Sequence, residues 1–128
     1  MTVELIRNGP LTEHHDAAMS GRSIIDQPEP AWSGFALMEW ELTRAEWTDR
    51  HPHDEVNYLL AGELHVECDG ETVVAQPGDT VLVRAGAKAR YRAPTYARML
   101  AIYGPNPAGL ESGDFVFRRL DETENDNQ

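Results

Sequence analysis

The segment 49–55 holds the side chains with the most distinctive chemistry in this 128-residue sequence. His51, His53 and Glu55 lie two residues apart, and Asp49 lies two residues before them. Side chains two apart point to the same side of an extended strand, so these groups are expected to converge on one point. Imidazole nitrogen and carboxylate oxygen suit a divalent transition metal such as Mn, Fe, Ni or Zn. The segment therefore predicts a metal site formed by Asp49, His51, His53 and Glu55.

Pro52 interrupts this series, because it has no N–H to donate to a neighbouring strand. A turn followed by a strand that starts near Glu55 is the alternative geometry. The histidines then belong either to a polar site at the strand entrance or to a solvated loop, and the spacing leaves both interpretations open. Asn57 continues the two-residue series inside the apolar run 56–60 and is expected to contact a ligand beside the metal.

A second polar set lies later in the chain: Arg84, Lys88, Arg90, Arg92, Tyr96 and Arg98. Pairing with the chain's own acids is the simpler interpretation of these cations. If Tyr96 and Arg98 instead line a cavity, they favour a carboxylate or phosphate on the ligand. His14, His15 and His65 are expected at the surface.

Short strands must position these groups, because two-residue alternation recurs from Phe35 onward. In the run 35–42, the residues on one face are Ala36, Met38, Trp40 and Leu42. Further β-prone runs are 56–60, 64–68, 72–75, 80–84, 89–92, 96–103 and 115–119. Turns rich in glycine and proline separate them. This pattern predicts an all-β antiparallel barrel or sandwich.

The chain is expected to form one domain in three parts. Residues 1–34 form an N-terminal arm of that domain, with a possible short helix over 11–19 and a loop over 21–30. Residues 35–120 form the barrel. Residues 121–128 form an acidic tail that is expected to be disordered.

Composition narrows the class of partner. Acidic residues outnumber basic ones by 22 to 11, which gives a formal net charge of −11. Nucleic acid and anionic membrane surfaces repel such a chain, so neither is expected as a partner. No apolar run approaches the ~20 residues that a membrane-spanning helix needs. The lone cysteine, Cys68, excludes an intramolecular disulfide, and a cytoplasmic location is expected.

These residues resemble the cupin superfamily, whose β-barrels carry the motifs G-x5-HxH-x3,4-E-x6-G and G-x5-PxG-x2-H-x3-N. Glu55 and Gly62 match the second half of the first motif. His51 then falls on its second histidine, and Asp49 takes the place of the first. The second motif begins at Pro-Gly-Asp, residues 77–79, but its histidine falls on Ala89. The resemblance therefore implies a metal site without one of the usual four ligands, held by Asp49, His51 and Glu55, with or without His53.

The region 54–107 is most similar to the ethanolamine-utilisation cupins. The shared features are Asp-Glu-Val-Asn-Tyr at 54–58, the run from Asp-Gly to Pro-Gly-Asp at 69–79, and Pro-Thr-Tyr-Ala-Arg at 94–98. An acetate-kinase-like role has been attributed to some members of that group. Nothing in this sequence resembles a nucleotide-binding loop.

Three functions remain open. The first is a metal-dependent enzyme that acts on a small polar or anionic metabolite by isomerase, lyase or decarboxylase chemistry. Glu55 or His53 would be its general base, and Tyr58 would orient the substrate. The second is a non-catalytic binding module, which the alanine at position 89 favours. The third is a structural subunit, in which the segment 21–30 and Trp32 form an arm that supports a homodimer.

Overall fold

The computed structural model describes residues 2–120, which form an antiparallel all-β structure of nine strands. The strands are β1 (Thr12–His14), β2 (Asp16–Ile25), β3 (Ala36–Arg50), β4 (Glu55–Gly62), β5 (Leu64–Cys68), β6 (Glu71–Ala75), β7 (Thr80–Val83), β8 (Lys88–Tyr103) and β9 (Gly113–Arg119). No helix occurs among these residues, so none is long and apolar enough to cross a membrane. The predicted fold class is confirmed. The predicted tail, 121–128, lies outside the described residues.

Two long strands, β3 and β8, organise the fold. Their first and second halves pair with different neighbours. The first half of β3 pairs with β2 and the second half of β8 pairs with β4, which gives the strand order β1-β2-β3-β8-β4-β7. The second half of β3 pairs with β9, and the first half of β8 pairs with β5. Side chains from both layers meet in a core that includes Leu42, Tyr91 and Met99.

A bulge allows β3 and β8 to bend. Arg44 has a φ of 49°, and the register shifts between Thr43 and Ala45 opposite Pro94. Pro94 donates no ladder hydrogen bond, and a bulge is one of the positions that tolerate it. The runs 89–92 and 96–103, predicted as separate strands, are therefore one strand, β8.

The predicted helix over 11–19 is wrong, because these residues belong to the β1–β2 hairpin. His15 turns the chain with a φ of 69°, and Met19 packs inward opposite Leu42 of β3. β2 continues to Ile25, so the predicted loop 21–30 begins inside a strand. The indole of Trp32 packs on its own chain's barrel, 5.5 Å from His53 between ring centroids.

The segment 51–54 is a turn between β3 and β4, which is the alternative geometry expected from Pro52. Hydrogen bonds to neighbouring loops hold this turn. The N–H of Gly86 donates to the carbonyl of His51 at 2.8 Å, and the N–H of Ala85 donates to the Asp54 carboxylate at 2.9 Å. The turn therefore has a fixed place at one end of the barrel.

Candidate functional site

Asp49, His51 and Glu55 meet at the end of the barrel cavity. Asp49 faces inward near the end of β3, His51 lies in the turn, and Glu55 is the first residue of β4. One donor atom from each residue lies within 4.8 Å of the other two. The turn thus brings together three of the four predicted metal ligands.

His51 links the two carboxylates. Its Nε2 lies 2.9 Å from Asp49 Oδ2 and 3.2 Å from Glu55 Oε1, while its Nδ1 lies 2.5 Å from Ser112 Oγ. Burial lowers the pKa of His51, but the hydrogen bonds and negative charges of both acids outweigh it and raise that pKa to about 10. Trp47 Nε1 also donates to Asp49 Oδ2 at 2.8 Å. Without a metal, the cluster is therefore a hydrogen-bonded group around an imidazolium.

Buried neutral donors hold the Glu55 carboxylate in place. The hydroxyl of Tyr91 and the amide of Asn57 donate to Glu55 Oε2 at 2.8 and 2.9 Å. Trp40 Nε1 in turn donates to the Asn57 carbonyl at 2.8 Å. Burial raises the pKa of Glu55, but the hydrogen bonds and charge of His51 outweigh it, and the pKa is lowered overall. Asn57 therefore orients Glu55 from behind the cavity wall.

His53 lines the same cavity but does not join the three-residue donor group. Its ring stacks on the rings of His51 and Tyr103, with centroids 4.8 and 5.0 Å apart. Its Nδ1 lies 3.2 Å from the Asp54 carbonyl oxygen, and its Nε2 has no hydrogen-bond partner among the described residues. Burial and the charge of His51 lower the pKa of His53. A neutral imidazole with an available nitrogen can accept a proton.

The donor set suits a divalent transition metal. Nitrogen and carboxylate ligands lie about 2.0–2.2 Å from such an ion, so ligand pairs lie about 3–4 Å apart. The separations of His51 Nε2 from Asp49 and Glu55 fall in that range. Each ligand also has an outer hydrogen-bond partner, as metal ligands usually do. Ala89, fully buried and opposite Asp49 in the register, supplies no fourth ligand.

A cavity of about 260 Å³ opens above this group. Its apolar and aromatic lining consists of Met19, Met38, Trp40, Ala101, Tyr103, Trp47 and Phe115. A second cavity of about 240 Å³ adjoins it and shares His14, Met19, Met38 and Trp40. The site therefore has a polar end at the three donors and a largely apolar wall.

Asn57, predicted to contact a ligand, is buried and absent from the cavity lining. Three further predicted site residues do not reach this cavity. Tyr58 lies on the opposite face of β4 and is 42% exposed. Tyr96 and Arg98 lie on the outer face of β8, where they bond Glu41 and Glu39 at 2.6 Å. The simpler interpretation, pairing with the chain's own acids, describes both residues. We therefore leave all three outside the proposed site.

Several residues of the site were missed at the sequence level. Tyr91 lies between two arginines on β8, and strand alternation alone indicates that it points inward. Its bond to Glu55 and the contact of Ser112 with His51 join residues 36 and 61 positions apart, so no local pattern signals them. Trp47 lies two residues before Asp49 on β3, so strand alternation places both side chains on one face.

The fold and the site together define a cupin. A solved cupin of the RmlC-like type from Shewanella frigidimarina aligns with a TM-score of 0.65 over 82% of this chain and 92% of its own, at 18% identity. The crystal structure of an ethanolamine utilization protein Q from Salmonella typhimurium LT2 aligns with a TM-score of 0.62 and 26% identity, over 69% of this chain and 70% of that one.

The family described as "Ethanolamine utilisation protein EutQ" matches residues 12–112, and the chain belongs to it. A curated relative from Salmonella typhimurium, named "Acetate kinase EutQ", is 35% identical over 82 residues. That match covers 64% of this chain and 35% of the relative. The chain thus spans about a third of that relative's length, and the relative's activity does not transfer with the family.

Proposed function

We propose that this chain is a metal-dependent cupin enzyme that acts on a small polar metabolite. The observation that supports it is the convergence of Asp49, His51 and Glu55 at the polar end of a cavity. These residues would hold Mn, Fe, Ni or Zn. A bound divalent ion supplies Lewis-acid polarisation of a carbonyl or carboxylate oxygen.

His53 is the general base in this proposal. Its ring lies beside the donor group, its pKa is lowered, and its Nε2 has no hydrogen-bond partner in the described part of the chain. Such a neutral imidazole can take a proton from a carbon or hydroxyl next to a polarised carbonyl. Glu55 remains the alternative base, but its hydrogen bonds to Tyr91 and Asn57 hold it in a ligand's position. Isomerase, lyase and decarboxylase reactions all fit this pair of roles.

A non-catalytic binding cupin is the second candidate. Ala89 removes one ligand position, and the imidazolium of His51 already neutralises part of the acidic pair without a metal. A protein that binds its ligand without turnover would retain the cavity but bind metal weakly. The kinase activity in the relative's name is tested separately, by measuring acetate-dependent release of ADP from ATP.

Metal content by elemental analysis decides between these candidates. We expect near-stoichiometric metal in the wild type after reconstitution with Mn, Fe, Ni or Zn, and loss of that metal in His51→Ala and Glu55→Gln. His65→Ala and Glu63→Gln are the matched controls, because this pair is joined at 2.9 Å at the surface. Absence of metal after every reconstitution contradicts the enzyme proposal and favours the binding module.

We also propose that the protein is a cytoplasmic homodimer. Leu37, Ile102, Val56 and Leu82 are register partners across four strands on the outer face of the sheet. Ile102 and Leu82 are 40% and 45% exposed, which supports a second copy on this face. In light scattering, Leu82→Lys should give a monomer, whereas Val73→Lys on β6 should not. A wild-type monomer contradicts the proposal.

A further inference from the structure

Away from the Asp49–His51–Glu55 group, the cavity lining has no fixed cation. Among the described residues that line it, none is a lysine or an arginine. Arg22 lines the adjoining cavity, but its Nε donates to Glu39 at 2.9 Å. Arg98, expected to attract an anionic ligand, bonds the same carboxylate on the outer face. An anionic group of a ligand would therefore meet no positive charge in this cavity, except where the ligand reaches the Asp49–His51–Glu55 group.

Trp47 and Phe115 contribute aromatic rings to the cavity lining. The rings of Trp47 and Phe115 are stacked, with centroids 5.7 Å apart and an angle of 24° between their planes. The ring of His15 lies 4.7 Å from that of Trp47. Phe115 is 54% exposed, so part of its ring is open to an incoming molecule. The faces of aromatic rings carry negative potential and attract cations.

The inner wall is apolar. Met19, Met38 and Trp40 line the cavity together with the three donors, and the thioethers offer polarisable contact without charge. A cavity of about 260 Å³ holds a compact molecule. A small alkylated group fits this wall better than a hydrated anion does, because burying an unpaired charge is costly.

We propose that the ligand carries a compact organic cation, an alkylated ammonium group, held against Trp47 and Phe115 while its opposite end reaches the Asp49–His51–Glu55 group. The place of the ligand's polar end depends on the proposed metal-dependent function. The place of its cationic end depends only on the residues of the cavity wall. This ligand class replaces the anionic metabolite expected from the sequence.

Calorimetric titration of metal-reconstituted protein tests the proposal with two probes of equal shape. Choline carries a trimethylammonium group, and its neutral isostere carries a tert-butyl group in the same place with the same hydroxyl. We expect choline to bind about 10-fold more tightly, the ratio given by a cation–π contact in a partly desolvated site. The ratio should fall as salt is added.

Two variants on β9 locate the cation. Phe115→Leu should lower the choline preference about 3-fold or more, because it removes the ring and keeps an apolar side chain. Val116→Leu is the control, since Val116 is equally exposed and faces away from the cavity. Equal affinities, a preference for the neutral probe, no binding of choline at millimolar concentration, or a Phe115→Leu preference equal to that of wild type overturns the ligand class.

Metal content measured on the same samples separates the two proposals. Stoichiometric metal without a preference for choline overturns the cationic ligand and leaves the metal-dependent function standing. A preference for choline without bound metal overturns the metal-dependent function and leaves the cationic ligand standing.

Discussion

Replacing Tyr91 with Phe tests whether the buried Glu55 carboxylate depends on neutral donors behind the cavity. The substitution removes one hydroxyl that donates to Glu55 Oε2 at 2.8 Å, and it keeps a ring that is fully buried. A hydrogen bond to a charged group contributes about 1.5–3 kcal/mol to stability. Glu55 retains the amide of Asn57 and the ring of His51, so the lower end of that range applies.

The expected loss converts to a melting temperature. An unfolding entropy of about 2.1 cal/mol/K per residue gives about 0.27 kcal/mol/K for a chain of this length. A loss of about 1.5–2 kcal/mol therefore lowers the Tm of metal-free Tyr91→Phe by about 6–7 °C. Differential scanning calorimetry in the presence of a chelator measures this change directly.

Tyr58→Phe is the control for this experiment. Its hydroxyl lies on the exposed face of β4, so its removal should change stability by less than about 0.5 kcal/mol. The reasoning is refuted if the two variants melt together, or if Tyr91→Phe melts with wild type. Either result would mean that the carboxylate does not depend on the Tyr91 hydroxyl.

Three further predictions concern the same end of the barrel. Because the pKa of His51 is raised to about 10 in the folded state, its contribution to stability is complete below the unfolded pKa of about 6.5 and is lost as pH rises toward 10. Urea unfolding of metal-free protein should show this loss, and it should be absent in His51→Gln; a wild-type midpoint that rises over this range contradicts the assignment. Ser112→Ala frees the His51 ring and should weaken metal binding about 10-fold or more in a chelator competition assay, as loss of an outer hydrogen bond usually does. Unchanged affinity would show that Ser112 does not orient the ring. Ala89→His introduces a side chain into a fully buried position opposite the acid cluster, so it should destabilise the metal-free protein by about 1–3 kcal/mol while tightening metal binding. Destabilisation without tighter binding would place position 89 outside the reach of the metal.

Much of the barrel was predictable because its strands alternate. The run 35–42, the segment 64–68 and the start of β7 follow the two-residue period that a half-buried strand requires. The hairpin over 11–19 was not predictable, since pairing with β3 decides its structure over local propensity. Pro94 likewise indicated a break, and only the bulge at Arg44 explains why β8 continues through it.

The candidate site was partly predictable for a related reason. The three donors lie within seven residues, so their spacing indicated a polar site at the strand entrance as one of two interpretations, the other being a solvated loop. Alternation along β8 places Tyr91 inward and Tyr96 and Arg98 outward. There they bond Glu41 and Glu39, as the simpler interpretation of these residues expected. Tyr91 and Ser112 reach the cluster through pairing across 36 and 61 positions of sequence, respectively. Such contacts exist only in the folded barrel.

The separation between donors and wall has an evolutionary consequence. All three donors come from positions 49–55, whereas the wall residues are drawn from strands and loops between Met19 and Phe115. Under the proposed function, substitutions in the wall change which ligand binds and leave the three donors in place. Proteins descended from one ancestor would then share the donor group and differ in ligand specificity, through a few substitutions at Met19, Met38 or Phe115.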